Sequence, residues 1–216
     1  MQKRSRWILA AVVSLLLAGQ AGAVGFNLSD LSSDSTPASQ LAALLDFQVS
    51  GSTLSVNVRN RTSAAAPFDI SGVFMNASAD VIGLTYTGAR EGSSTAWTLF
   101  NSGTSVTNWK FGTFDFALIG SVSSDSGQIV HGYSNLFSFG IQCRSGAVCD
   151  VNDFLGTLST GGQLAALAGL RFVDGPGGDG AFGGGTQIAP IPEPSTALLL
   201  ALGLVGFARA RGGRRS

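Results

Sequence analysis

Four stretches of this chain alternate apolar and polar residues with a period of two. Leu54, Val56 and Val58 alternate with Ser55, Asn57 and Arg59. Ile82, Leu84 and Tyr86 alternate with Gly83 and Thr85. Phe114, Phe116 and Leu118 alternate with Asp115 and Ala117, and Phe137, Phe139 and Ile141 with Ser138 and Gly140. Successive side chains of a strand point to opposite faces, so each stretch reads as a strand with one buried and one wet face. Residues 68–75 read as a further strand with a bulge at Gly72, and residues 170–173 as the last one. Turn-forming clusters at 60–66, 76–80, 91–94, 101–108 and 123–128 separate these runs. Short strands with regular turns predict an all-β fold, an antiparallel sandwich or barrel. The 14 phenylalanines favour the sandwich, because their rings fill the layer between two facing sheets.

One or two short helices fit beside the strands. Thr36 caps and Pro37 opens one that runs through Leu45, and Asp150 caps a single turn before Phe154. Residues 163–170 suit either a short Ala/Leu helix or a strand. The Gly-rich stretch 175–185 reads as a flexible loop.

The alternation stops at both ends of the chain. Lys3, Arg4 and Arg6 precede a 12-residue apolar run, 7–18, broken only by Ser14, and then the small-x-small site Ala21-Gly22-Ala23. These are the three parts of a secretory signal peptide, residues 1–23, cut to leave Val24 as the mature start. Twelve helical residues span only roughly 18 Å, short of a hydrocarbon core of about 30 Å, which argues against a permanent span. The far end mirrors this order: Pro192-Glu193-Pro194, an apolar run over 197–208, then Arg209, Arg211, Arg214 and Arg215.

Charge follows the same partition. The formal net charge is zero, yet residues 1–23 carry +3, residues 24–194 carry −7 and residues 195–216 carry +4. Basic flanks stay on the cytoplasmic side of a membrane, so both ends point inward and the acidic body outward. With 44% hydrophobic residues and no net charge, disorder is excluded. With no basic excess on the body, a nucleic-acid partner is excluded too.

Pro-Glu-Pro, an apolar helix and a terminal Arg cluster, in that order, resemble the PEP-CTERM sorting signal of exported proteins of Gram-negative bacteria. The resemblance covers residues 191–216. It implies recognition by an exosortase, a membrane-embedded transpeptidase-like cysteine enzyme. It also implies transient anchoring in the inner membrane, removal or exchange of the tail, and a final place at the cell surface or in extracellular polymer. Proline fixes φ and lacks a backbone donor, so Pro192 and Pro194 hold Glu193 extended and unpaired, a form suited to a processing cleft. The body resembles the sandwich domains that precede such tails, through residues 111–116 and 172–180, which adds to the fold and not to an activity. The expected organisation is a signal peptide (1–23), a β-sandwich ectodomain (24–174), a Gly-rich linker (175–190) and the sorting signal (191–216).

The body offers few candidates for chemistry. Cys143 and Cys149 are the only cysteines, six positions apart. In an exported chain they read as a disulfide closing a tight loop, stabilising it by roughly 2 kcal/mol. Zinc would need four ligands, and only the lone His131 is available besides. His131 lies beside Gly132, and no serine stands in a Gly-x-Ser-x-Gly elbow, so a loop histidine is the reading. Asp150 and Asp153 could serve calcium, but helix capping explains them more simply. Residues 177–182 hold one imperfect copy of the Gly/Asp pattern of calcium-binding β-rolls, too little for a repeat array. Metal and cofactor are therefore expected to be none. Trp97 and Trp109, with Tyr86 and Tyr133, could form a flat sugar-stacking face, although most such rings in a small sandwich are core. Asn27, Asn60 and Asn76 head Asn-x-Ser/Thr triplets, which the bacterial tail makes coincidental.

The expectation is a non-enzymatic, exported surface or matrix protein, processed by signal peptidase and an exosortase and structural or adhesive in envelope or exopolysaccharide. The alternatives are a carbohydrate-binding module for extracellular polysaccharide and a secreted hydrolase.

Overall fold

The computed structural model describes residues 23–28, 31–32, 36, 38–91, 96–101, 106–108, 110–121, 127–178, 180–186 and 188–190. Fifteen strands lie among them. In chain order they are β1 (Ala23–Asn27), β2 (Leu31–Ser32), β3 (Ala43–Ser50), β4 (Thr53–Asn60), β5 (Asp69–Met75), β6 (Val81–Ala89), β7 (Trp97–Phe100) and β8 (Val106–Asn108). They continue with β9 (Gly112–Phe114), β10 (Phe116–Gly120), β11 (Ser134–Cys143), β12 (Thr160–Gly161), β13 (Ala168–Val173), β14 (Ala181–Gly185) and β15 (Ile188–Pro190).

Two six-stranded antiparallel sheets form an all-β sandwich. Sheet A has the order β15-β1-β3-β4-β11-β6, and sheet B the order β2-β14-β13-β5-β10-β7. A small third sheet, β12-β9-β8, lies outside sheet B. The alternating runs supply the filling. Leu45, Phe47, Leu54, Val56, Val58, Phe137 and Phe139 from sheet A meet Ile70, Val73, Phe116, Leu118, Leu170 and Phe172 from sheet B in one core. A second core on the outer face of sheet B joins Phe74 and Ala117 to Phe111, Phe114 and Ala166. Each fully buried Phe or Leu contributes roughly 1.5–3 kcal/mol relative to exposure.

Several expectations need correction. The helix expected from Pro37 to Leu45 is only a 3-10 turn, Ala38–Gln40. Residues from Ala43 on alternate inward as Ala43, Leu45, Phe47 and Val49, and strand period wins. The run Phe114–Leu118 is two strands, not one. Asp115 breaks it, so Phe114 points to the outer core while Phe116 and Leu118 point to the main one. The Asp115 N–H donates to Asn76 Oδ1 at 3.3 Å, and its carboxylate accepts from the Ala77 N–H at 3.0 Å. Ile82 is 57% exposed rather than buried. Val81 pairs with Cys143 and Gly83 with Gln142, so Ile82 is the extra residue of a bulge that flips it outward. The bulge expected at Gly72 sits one residue earlier: Ile70 pairs with Phe172 and Gly72 with Arg171, leaving Ser71 over.

The largest correction concerns the Gly-rich stretch 175–190, expected as a linker. It folds back as β14 against β13 and β2, and as β15 against β1, so residues 170–173 are not the last strand. The physical reason is room. A Cβ on Gly183 would stand 2.9 Å from Phe172 Cε2, and one on Gly184 would stand 2.9 Å from Phe111 Cε1. The glycines let large rings lie against the strand on both faces, which composition alone reads as flexibility.

Candidate functional site

The sorting end of the molecule is built by three strands. β1 runs antiparallel to β3, with Ala23 opposite Gln48 and Asn27 opposite Leu44. β15 closes on the other side of β1, with Phe26 opposite Ile188 and Val24 opposite Pro190. Ala23 of the expected peptidase site thus opens β1, and Val24 packs against the main core. Pro190 stands directly across from Val24, two residues before Pro192. Ala21, Pro192, Glu193, Pro194 and the tail arginines Arg209, Arg211, Arg214 and Arg215 lie outside the described residues.

The candidate sugar-stacking residues do not form one face. Trp97 is only 3% exposed, and its ring packs on Phe137 inside the sandwich, so it is core and not a platform. Sequence periodicity could not show this, because the burying partner comes from the opposite sheet. Trp109 lies outside the described residues. Tyr86 is half-buried against Phe139, with 5.7 Å between ring centroids. Burial raises its hydroxyl pKa above the ordinary tyrosine value. Tyr133 is 70% exposed, in the turn before β11.

The polar candidates are engaged in holding the fold. Cys143 and Cys149 form the expected disulfide, with Cα atoms 6.0 Å apart. Asp150 caps the 3-10 helix Val151–Phe154: its Oδ1 accepts from the Asn152 N–H at 2.7 Å, and Asp153 Oδ2 accepts from the Asp150 N–H at 2.7 Å. Asp153 Oδ1 also accepts from the Ser78 hydroxyl at 2.5 Å. The helix capping that the sequence suggested takes the form of a reciprocal capping box, and it employs the carboxylates considered for calcium. The His131 backbone N–H donates to Asp69 Oδ1 at 3.0 Å, while its Nδ1 is buried with no hydrogen-bond partner among the described residues.

Two of the Asn-x-Ser/Thr asparagines are buried structural pieces. The Asn60 amide donates to the Phe68 carbonyl at 2.7 Å and to the Ile129 carbonyl at 2.9 Å, and its Oδ1 accepts from the Thr62 N–H and hydroxyl. The Asn76 amide reaches the Ala166 carbonyl at 3.3 Å.

One feature escaped the sequence reading. A groove of about 430 Å³ opens on the outer face of sheet B, lined in part by Phe74, Ile119, Arg171, Val173 and Phe182. Arg171 is the charged residue of that lining. A Cβ on Gly72 would stand 3.0 Å from Arg171 Cβ, so the glycine makes room for it. The sequence signal was slight: Arg171 stands between Leu170 and Phe172 and therefore faces away from the main core.

Comparison with known families and proteins bears on the end of the chain alone. A family model described as the PEP-CTERM protein-sorting motif matches residues 190–215. No curated protein and no solved structure matches the chain. The chain carries this sorting motif, and the motif marks an exported protein, handled by an exosortase and held transiently in the membrane by its C-terminal tail.

Proposed function

We propose that the sandwich is a non-catalytic structural or adhesive component of the cell surface or extracellular matrix, released to that place by processing near Pro192–Pro194. The observation that carries this reading is the sorting motif at residues 190–215 on a domain whose polar candidates are committed to the fold. Asp150 and Asp153 form a capping box, Asn60 and Asn76 pin loops, and Cys143 and Cys149 are joined. Without its basic ends the body carries about −7, which suits a soluble, well-hydrated matrix component. Mass spectrometry of the protein from its native host tests the processing. The expected mature chain starts at Val24 and lacks the Arg-rich tail, and a chain intact through Ser216 would sink the proposal.

A second reading, binding of extracellular polysaccharide, draws support from the Arg171 groove. An arginine between apolar and aromatic walls suits a carboxylated sugar better than a neutral one. Affinity electrophoresis in gels containing acidic or neutral polysaccharide checks it. Retardation by the acidic polymer that disappears in Arg171→Ala supports this reading, and equal mobility in all gels counts against it.

A further inference from the structure

The pairing of β1 with β15 fixes more than an edge of sheet A. Val24 and Pro190 are opposite one another, and the two strands are antiparallel, so the chain enters and leaves the sandwich at the same end. β3 identifies that end. Ala23 pairs with Gln48, next to the turn that joins Ser50 to Thr53 in the β3–β4 hairpin. β11 finishes there too, since its Gly140 pairs with Thr53. The opposite end holds Asn60, Tyr133 and Ser134, with Ser134 paired to Arg59.

We propose that the end carrying the Gly51–Ser52 turn is the membrane-facing surface of the anchored precursor, and that its partner there is the lipid surface. The proposal rests on the reading of residues 197–208 as the transient anchor. Only six residues lie between Pro190 and Ala197, seven steps along the chain. Fully extended, they reach no more than roughly 23 Å, at about 3.3 Å per residue. The eight residues of β4 place the far end roughly 25 Å further away. The tether leaves from a strand built into the sheet, not from a floppy linker, so the near end cannot trade places freely with the far one. Two exposed apolar side chains share the near end. Ile82 is turned out by its bulge, beside the Cys143 terminus of β11, and Val148, 91% exposed, tips the disulfide loop. They lie across the sheet from β1, and together with the tether they give the face two points of contact. The consequence is directional: the turn bearing Tyr133 points away from the membrane into the envelope.

The test uses the full chain in vesicles of neutral phospholipid carrying a small fraction of a headgroup-linked fluorescence quencher. Single cysteines are introduced by Ser52→Cys at the near end and Ser134→Cys at the far end, each labelled with the same fluorophore while the native disulfide stays closed. Both positions are exposed, so either label sits on a folded protein. Marked loss of emission at Ser52 with near-complete retention at Ser134 is the expected result. Equal loss at both positions, or greater loss at Ser134, overturns the proposal. Vesicle flotation is read first. A full chain that does not float with the vesicles removes the anchor reading and this proposal with it, whereas flotation with the wrong quenching pattern removes the orientation alone.

Discussion

The indole of Trp97 meets the ring of Phe137 at 4.8 Å between centroids and 61° between planes. Trp97 stands on β7 at the edge of sheet B, and Phe137 on β11 of sheet A, so this contact bridges the two layers. The tilted, edge-on geometry is the favoured one for aromatic pairs. Trp97→Ala is therefore expected to lower stability by about 3–5 kcal/mol, the range for truncating a large buried ring. Denaturant unfolding followed by tyrosine fluorescence or circular dichroism measures it. A loss under about 1 kcal/mol would show that the ring is not packed in the core.

β14 gives a second prediction, because glycine in a strand is ordinarily a weakness. Gly183→Ala raises intrinsic strand propensity but puts a methyl 2.9 Å from Phe172 Cε2 and 3.4 Å from Leu41 Cβ. The expected outcome is a loss of about 1–3 kcal/mol from overpacking. Gly140→Ala on β11 is the control. Its nearest neighbour would be Thr85 Cβ at 3.9 Å, so a change within about 0.5 kcal/mol is expected. Equal midpoints for the two variants would mean that the Gly-rich segment is not held in the sheet.

These two sites show what the sequence disclosed and what it withheld. The strands around Val56 and Phe139 were legible because alternation is a local signal and needs no knowledge of the partner. The helix capping at Asp150 and Asp153 and the Cys143–Cys149 bridge were legible for the same reason, since their members lie within six residues of one another. The sorting signal is linear and was read outright at Pro192–Pro194. Gly183 and Ile82 depart from what the sequence leads one to expect, Trp97 stays open in sequence between core and platform, and each depends on something distant. Trp97 needs Phe137, Gly183 needs Phe172, and Ile82 is set by a one-residue slip against β11. The pairing of Val24 with Pro190 joins residues so far apart that no window of sequence could reveal it.

Asn60 supports a third prediction. It is 1% exposed and holds the carbonyls of Phe68 and Ile129, so it ties the loop after β4 to the segment before β11. Asn60→Ala leaves the Ile129 carbonyl without this donor and is expected to cost about 1–3 kcal/mol. Asn60→Asp keeps the shape but aims a carboxylate at two carbonyl oxygens, so its cost should exceed that of the alanine variant at neutral pH. Lowering the pH toward the point where that carboxyl is protonated should recover part of the loss. Thermal unfolding of both variants at neutral and mildly acid pH checks the order. An aspartate variant as stable as the native protein at neutral pH would contradict the hydrogen-bond assignment.

Tyr86 gives the last prediction. Its ring lies against Phe139, and its hydroxyl is buried with no hydrogen-bond partner among the described residues. Desolvation raises its pKa above the ordinary value of 10.0 in the folded state. The sign follows from linkage. Below about pH 10 the group is neutral in both states and leaves stability independent of pH. As the pH rises past that value the unfolded chain ionises first, so native stability falls until the folded-state pKa is passed. Tyr86→Phe removes both the unpartnered hydroxyl and this alkaline sensitivity. Its stability at pH 7 should equal the native value or exceed it by up to about 1 kcal/mol. Guanidinium unfolding of the two proteins at about pH 7 and pH 11 measures both terms, with the gap between them expected to widen in favour of the variant at the higher pH. A gap that stays constant would place the hydroxyl in water, and a variant weaker at pH 7 would reveal a hydrogen bond to that hydroxyl.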